Sequence, residues 1–423
     1  MTKKNEEVSS VENVRRHLEQ CEKGGIKQTL NNCVYVLKND PVLGDIIKRN
    51  DLTNQIDLLG EVLWERRGST ITDTDFNHIC LYMEVNYDLV KDKTIRKAID
   101  IVSSENHYHP IAEILSKMKW DGKERIRKLL PRYLGAEESE YVYEATKLIM
   151  LGAISRVFNP GCKFEYMLCV VGSQGAGKST FFRFLAIDDD WFSDDLRRIE
   201  DDNVYRKLQG HWIIEMAEML ATTSAKNIEE IKSFISRQKE TYKIPYETHP
   251  EDRYRQCIFV GTSNSMSFLP FDRTGNRRFI PVEIDAGKAE YHPLYDEKEC
   301  RSYIINCWAE AMDIYKKGNY KLTIPESIEK QLKMMQLKFM PEDTAKGIIK
   351  EWLDNVDDDY VCSRMIYDLA LRKEGTDPNA KELKEINSIM NGFCDEWEAV
   401  SSHRFKQYGL QRGWVRKNCK QKL

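Results

Sequence analysis

Gly172-Ser173-Gln174-Gly175-Ala176-Gly177-Lys178-Ser179 is the stretch on which the reading of this chain turns. It has the spacing G-x-x-x-x-G-K-[ST] and stands between an apolar run at 166–171 and a helical pattern at 178–185, the strand–turn–helix setting that the spacing requires. The glycines let the backbone wrap so that its N–H groups face the β-phosphate of a nucleotide, and the helix opening at Lys178 points its positive end at the same anion. Lys178 is expected to reach the β and γ oxygens and the Ser179 hydroxyl to hold Mg²⁺, with Gly172, Gly175, Ala176, Gly177 and Thr180 completing the cradle. A chance glycine turn is the competing explanation, and the flanking strand and helix count against it.

Downstream, short apolar runs at 212–215, 257–261 and 279–284 alternate with a helical pattern at 227–236, as in a parallel sheet with crossover helices. His211-Trp212-Ile213-Ile214-Glu215-Met216-Ala217-Glu218 is an apolar strand ending in acid. Glu215 is read as the acid on the metal side and Glu218 as the group that polarises the attacking water, although the sequence leaves open which does which. A strand-end carboxylate followed by a helix-capping Glu is the bland alternative. Cys257-Ile258-Phe259-Val260-Gly261-Thr262-Ser263-Asn264 delivers Asn264 to the carboxyl edge of the sheet, where open α/β sheets bind ligands, to hold the lytic water or sense the γ-phosphate. Arg277 and Arg278, with Arg273 third, lie in a cationic turn before the last strand. They are candidates for neutralising phosphoryl charge, in a ring at the site of a neighbouring subunit.

With 423 residues, 41% hydrophobic and 31% charged, and a net charge of -4, the composition is that of an ordinary globular protein of two to four domains. A uniformly basic coat is excluded, so any polyanion site is a local patch. The 11 cysteines have neither C-x-x-C spacing nor a neighbouring His, which argues for reduced thiols over disulfides or zinc. The lack of a long apolar run or signal-like start gives the expectation of a cytoplasmic chain without membrane contact.

The expected organisation is a helical region at 1–105, a helical lead-in at 106–160, the nucleotide-binding core at 161–300, helices at 301–353 and a small module at 354–423. In the last, helical patterns at 361–371 and 383–396 precede residues 403–423, with seven Lys or Arg and no acid. Helices followed by a basic, glycine-containing tail suggest a winged-helix-like DNA-binding module, in which Arg404, Lys406, Arg412, Arg416 and Lys417 contact the backbone. A solvated basic tail is the alternative. A second DNA contact is read at 238–249, where Lys239 and Lys243 would meet phosphate and Tyr242 would stack; an ordinary surface hairpin has the same composition.

In this order the elements resemble AAA+ and superfamily 3 helicases, and more closely the virulence-associated protein E family, from about 106 to 285. The resemblance rests on Lys119-Trp120-Asp121-Gly122 with Arg125, Asn159-Pro160-Gly161, the 172–180 loop and Leu208-Gln209-Gly210-His211 running on to Glu218. Tyr254-Arg255-Gln256-Cys257, Gly261 to Asn264 and Thr274-Gly275-Asn276-Arg277-Arg278-Phe279 complete it. It implies an α/β P-loop NTPase of AAA+/superfamily 3 type, using ATP and Mg²⁺, that forms a ring, with a hexamer expected. It also implies a role in replicating phages and genomic islands, with single-stranded or forked DNA and replication proteins as partners. Such proteins are sometimes fused to a primase, but residues 1–105 hold no metal-binding acid cluster, so a motor without a polymerase is expected. The expectation is an ATP-dependent DNA helicase or translocase, against an ATP-switched initiator or loader that binds DNA without processive unwinding. A small-molecule kinase is disfavoured because an arginine-bearing turn, not a substrate lid, follows Asn264.

Overall fold

Thr29 and Thr72 each stand one residue ahead of a helical pattern, and each caps a helix by accepting a backbone N–H three residues on. They open α2 (Leu30–Asn39) and α3 (Asp73–Tyr87), between α1 (Val11–Arg16) and α4 (Asp92–Glu105). The structure, a computed structural model, describes residues 10–22, 24–196, 204–217, 225–242, 251–269 and 276–417. The N-terminal region is helical, with one addition: β1 (Ile47–Asn50) pairs antiparallel with β2 (Gln55–Leu58) and parallel with β3 (His107–Tyr108). These strands are too short for a period of two to register in the sequence. Val36, Leu37, Ile47, Ile79, Met83 and Ile99 form the core beneath them.

α5 (Pro110–Lys117) and α6 (Ile126–Leu134) lead to α7 (Glu140–Phe158). α7 is apolar on nearly every side and is accordingly enclosed, against α6 and against the sheet that follows. That sheet contains β4 (Met167–Val171), β5 (Phe192–Ser193), β6 (Ile213–Ala217), β9 (Ile258–Ser263) and β10 (Phe279–Glu283). Between them lie α8 (Lys178–Leu185), α9 (Val204–Leu208), α10 (Ala225–Ser236) and the antiparallel pair β7 (Lys239–Tyr242) and β8 (Glu251–Tyr254). The strand order is β10-β4-β9-β6-β5 and every pairing is parallel. The four apolar runs read from the sequence are four of these strands, each nearly continuous in burial because parallel strands are covered on both faces. The chain leaves β4 for the far edge at β5, returns through β6 and β9, and crosses β4 to reach β10. β4 therefore sits where the direction of winding reverses, the position at which open α/β sheets hold ligands beyond their carboxyl ends. α11 (Glu297–Lys317) packs on α6, α7 and α8, and its Trp308 lies 4.5 Å from Trp212.

The chain divides into two compact units. One is Met1–Met219, Glu230–Asn264 and Arg278–Leu332; the other is Leu220–Glu229, Ser265–Arg277 and Lys333–Leu423. After α12 (Glu326–Lys338), the second unit holds α13 (Thr344–Asn355), β11 (Tyr360–Val361), the short α14 (Ser363–Met365) running into a π-turn over Ile366–Ala370, and α15 (Ala380–Phe393). β12 (Trp397–Phe405) and β13 (Gly409–Arg416) form a hairpin to which β11 adds, in the order β11-β13-β12. The helical pattern read at 361–371 is thus only one α-turn and one π-turn, and the basic 403–416 segment is mostly strand. Ile349, Ile366, Ile389 and Trp414 build this module's core. Among the described residues, no helix is long and apolar enough to cross a membrane.

Candidate functional site

The loop after β4 is shaped by two glycines. A Cβ on Gly172 would lie 2.6 Å from the Ile284 carbonyl oxygen, so only glycine lets the loop start against the end of β10. Gly177 has φ +76° as the N-cap of α8, a conformation costly for other residues. Ala176 and Lys178 are buried, Gly175 and Ser179 are exposed, and Thr180 is half-buried on the first turn. The loop therefore places the amino end of an eight-residue helix, with its unpaired N–H groups and positive dipole end, over the carboxyl ends of β4 and β9.

Three strand ends supply the side chains. The Lys178 ammonium donates to the carbonyls of Gly172 and Ser173, 2.8 Å each, and to Asn264 Oδ1 at 2.7 Å. The Ser179 hydroxyl donates to Glu215 Oε1 at 2.8 Å, and the Thr262 hydroxyl donates to the same oxygen. Glu215 is fully buried and its Oε2 has no hydrogen-bond partner. Burial pushes the Glu215 carboxyl above its ordinary value, opposed by the bonds from Thr262 and Ser179 and by the nearby Lys178 charge. A buried carboxylate oxygen lacking a donor, beside a hydroxyl, is the oxygen ligation that a hard divalent cation such as Mg²⁺ takes, with phosphate and water completing its shell. Ser179 and Glu215 fit that role, and the helix end and Lys178 suit the phosphates.

The fold thus brings together Lys178, Ser179, Glu215 and Asn264, which the sequence had placed on separate elements. Glu218, Lys243 and Arg273 lie outside the described residues, and of Tyr242 only the backbone, ending β7, is described. Arg277 and Arg278 stand at the amino end of β10, the opposite end of the sheet from Lys178 in the same chain. The Arg278 Nε donates to Ser236 Oγ at 2.7 Å and lies 3.5 Å from Glu165, whereas Arg277 is exposed. Lys239 pairs with Asp252 across the β7–β8 ladder, which raises the pKa of its ammonium. On the C-terminal hairpin Arg404, Lys406, Arg412 and Lys417 are exposed. Arg416 turns inward instead, donating to the carbonyls of Leu353 and Val356 at 3.0 and 2.8 Å, so its guanidinium serves its own module.

Sequence reading missed two features of the site. Thr262 lies two residues before Asn264, which directly follows β9, and that spacing, which puts two side chains on one side of extended backbone, was the available signal. His292 and Pro293, beyond β10, cover the loop: His292 Nε2 is 3.0 Å from the Gly175 carbonyl, and a Cβ on Gly177 would meet Pro293 at 3.1 Å. Nothing in the local pattern marked them. The Trp120-Asp121 segment has a structural role, since Asp121 pairs with Arg125, whose N–H, like that of Ile126, bonds the buried Glu310.

A five-stranded parallel sheet with a glycine-shaped loop, a buried lysine and a buried acid converging at its carboxyl edge defines an open α/β domain whose candidate site lies at the usual ligand-binding edge. The Virulence-associated protein E-like domain matches residues 115–341, more than half of the chain, and the protein belongs to that family. No curated protein matches it. Among solved structures, the A-form apo structure of the NrS-1 C-terminal region (305–718) is similar over 92% of this chain and 99% of its own, at 14% identity and a TM-score of 0.50, a likeness of fold. The apo structure of the same region aligns over 88% of this chain and 95% of its own, at 13% identity and a TM-score of 0.47.

Proposed function

We propose that the chain is a P-loop ATPase of AAA+/superfamily 3 type that works as an ATP-dependent DNA helicase or translocase in replicating a phage or integrated element. The observation that carries this reading is the convergence of Lys178, Ser179, Glu215, Thr262 and Asn264 at one sheet edge, with one buried carboxylate oxygen unpartnered. Replication enters through what the family resemblance implies, and the likeness to the NrS-1 region is one of fold.

The loop N–H groups and the α8 end bind the triphosphate, and Lys178 trades a backbone carbonyl for a phosphate oxygen. Mg²⁺, held by Ser179 and Glu215, would neutralise charge on the β and γ oxygens. Asn264, directly after the strand that carries Thr262, reads the γ-phosphate, and Glu218 is the candidate for orienting the attacking water. Arg277, exposed at the far end of β10, serves a neighbouring copy's site in a ring, for which a hexamer is the expected form. Single-stranded DNA is tracked by the β7–β8 hairpin, and Arg404, Lys406 and Arg412 of the C-terminal hairpin add sequence-independent phosphate contacts.

The experiment has three parts. Assembly mass is measured with and without an ATP analogue and DNA, ATP turnover is measured with and without single strands, and unwinding is measured on forks with either tail. Lys178→Ala is expected to abolish turnover while leaving the circular dichroism spectrum intact. Turnover retained in that variant, or a solitary chain that consumes no nucleotide with any DNA, overturns the ATPase reading. Turnover without strand displacement selects the initiator or loader instead.

A further inference from the structure

At the other end of the sheet, among residues that precede β4, β6 and β9, lies a cavity of about 530 Å³, within the range that holds a small molecule. Five-residue strands rise about 3.3 Å per residue, which separates it from the Lys178 loop by roughly 15 Å. Pro160, Leu208, Gln209, His211 and Tyr254 to Cys257 contribute to its wall. These are segments that carry the family resemblance yet take no part in the phosphate loop.

Three polar side chains of the wall are held by hydrogen bonds. His109 Nε2 meets Gln256 Oε1 at 3.2 Å, Gln256 Nε2 donates to the Asp51 carbonyl at 3.0 Å, and Gln209 donates to the Thr53 carbonyl. The acids that line it are paired as well: Asp51 with His107, Glu240 with Arg255 and Asp252 with Lys239. What such a wall offers an occupant is ring faces. Tyr254 is 57% exposed, and Phe158 and Tyr205 also line the cavity. Gly161 fixes the Tyr254 ring: a Cβ there would lie 2.7 Å from the ring's Cδ1, and the residue's φ is +78°. The cations Arg237 and Lys239 follow on the chain leading into the β7–β8 pair, and Arg237 donates to the Tyr205 hydroxyl at 2.7 Å.

We propose that this cavity receives a base of single-stranded DNA, stacked on Tyr254, while the adjoining hairpin cations meet the phosphates of the continuing strand. The ion pairs of Glu240 and Asp252 lessen the repulsion a polyanion would meet, and a stacked ring face accepts any base, so binding tolerates any sequence. The inference rests on the DNA-motor reading, but it concerns a different part of the chain from the nucleotide site.

The test uses the full chain and an oligothymidylate carrying a fluorescent base analogue, read by anisotropy and by quenching of the analogue. Tyr254→Ala and Tyr254→Leu should each weaken single-strand binding about tenfold or more and abolish the quench, whereas Tyr254→Phe keeps both. Binding of an ATP analogue, measured in parallel, should be unchanged in all three. Single-strand affinity equal to the parent's in the Ala and Leu variants overturns the proposal, as does an equal loss of duplex and single-strand binding. Lys178→Ala separates the two claims. A variant that loses turnover yet keeps the quench supports both, and one that keeps turnover and quench overturns the ATPase assignment while leaving the cavity assignment standing.

Discussion

Thr262→Val isolates the part of the site that the sequence did not reveal. Valine keeps the branched shape and replaces the hydroxyl by a methyl, so the buried volume is nearly conserved while one donor to Glu215 Oε1 disappears. A hydrogen bond to a charged group contributes about 1.5–3 kcal/mol, and this one lies at a carboxylate with no solvent exposure. Burial already raises the Glu215 pKa, and the Thr262 and Ser179 bonds hold it down; without Thr262 the pKa rises further. More of the carboxyl is then protonated at a given pH, and a cation loses its ligand. That loss corresponds to a roughly 10–150-fold shift of the carboxyl's ionisation equilibrium toward the protonated form. Mg²⁺ titrations of nucleotide binding and turnover should show half-saturation moving up, and most in mildly acid buffer. Nucleotide affinity without Mg²⁺ should hold, and Thr262→Ser should restore the parent curve. A Mg²⁺ curve for the valine variant that superimposes on the parent's would refute the assignment of Glu215 and Thr262 to a cation site.

Glu310 accepts the N–H groups of Arg125 and Ile126 at the start of α6 and is 2% exposed, so Glu310→Ala should lower unfolding stability by about 2 kcal/mol in chemical denaturation. Burial raises its folded pKa, the two N–H bonds opposing, so the folded chain holds its proton longer than the unfolded one. Its contribution is therefore full below the ordinary carboxylate range and declines as pH rises through the folded value; Glu310→Gln should flatten that slope. On α7, a Cβ at Gly152 would fall 2.3 Å from the Phe164 ring, so Gly152→Ala should cost about 1–3 kcal/mol by overpacking, read as a lowered denaturant midpoint. Replacing Arg404 and Arg412 together by Ala should weaken duplex binding and make its logarithmic salt slope shallower by about 2, measured by anisotropy over a salt series.

The core sheet was legible because its strands are buried on both faces, so 166–171, 212–215, 257–261 and 279–284 read as unbroken apolar runs between punctuating turns. β5 was invisible for the opposite reason: two residues carry no period, and Phe192–Ser193 is a strand only because β6 lies beside it. The N-terminal sheet failed similarly, since β1 and β2 have four residues each. At the site, Lys178, Ser179 and Glu215 were legible from spacing, but Thr262 was hidden among residues that read equally well as strand interior. The inward turn of Arg416 was hidden too. Its place in a run of cations said nothing about the two backbone carbonyls, of Leu353 and Val356, that claim it.

The Lys178 contacts bear on what the loop can discriminate. Its ammonium has three donors, and among the described residues three protein acceptors meet them. Under the proposed ATPase reading, a phosphate oxygen would replace a carbonyl or the Asn264 amide, and the gain from Lys178 would be the difference between a neutral and a charged acceptor. If the Asn264 oxygen is the acceptor displaced, its side chain is released toward the terminal phosphate when that group arrives. One exchange at Lys178 would thereby link filling of the loop to the end of β9, the strand that carries Thr262, whose hydroxyl bonds Glu215.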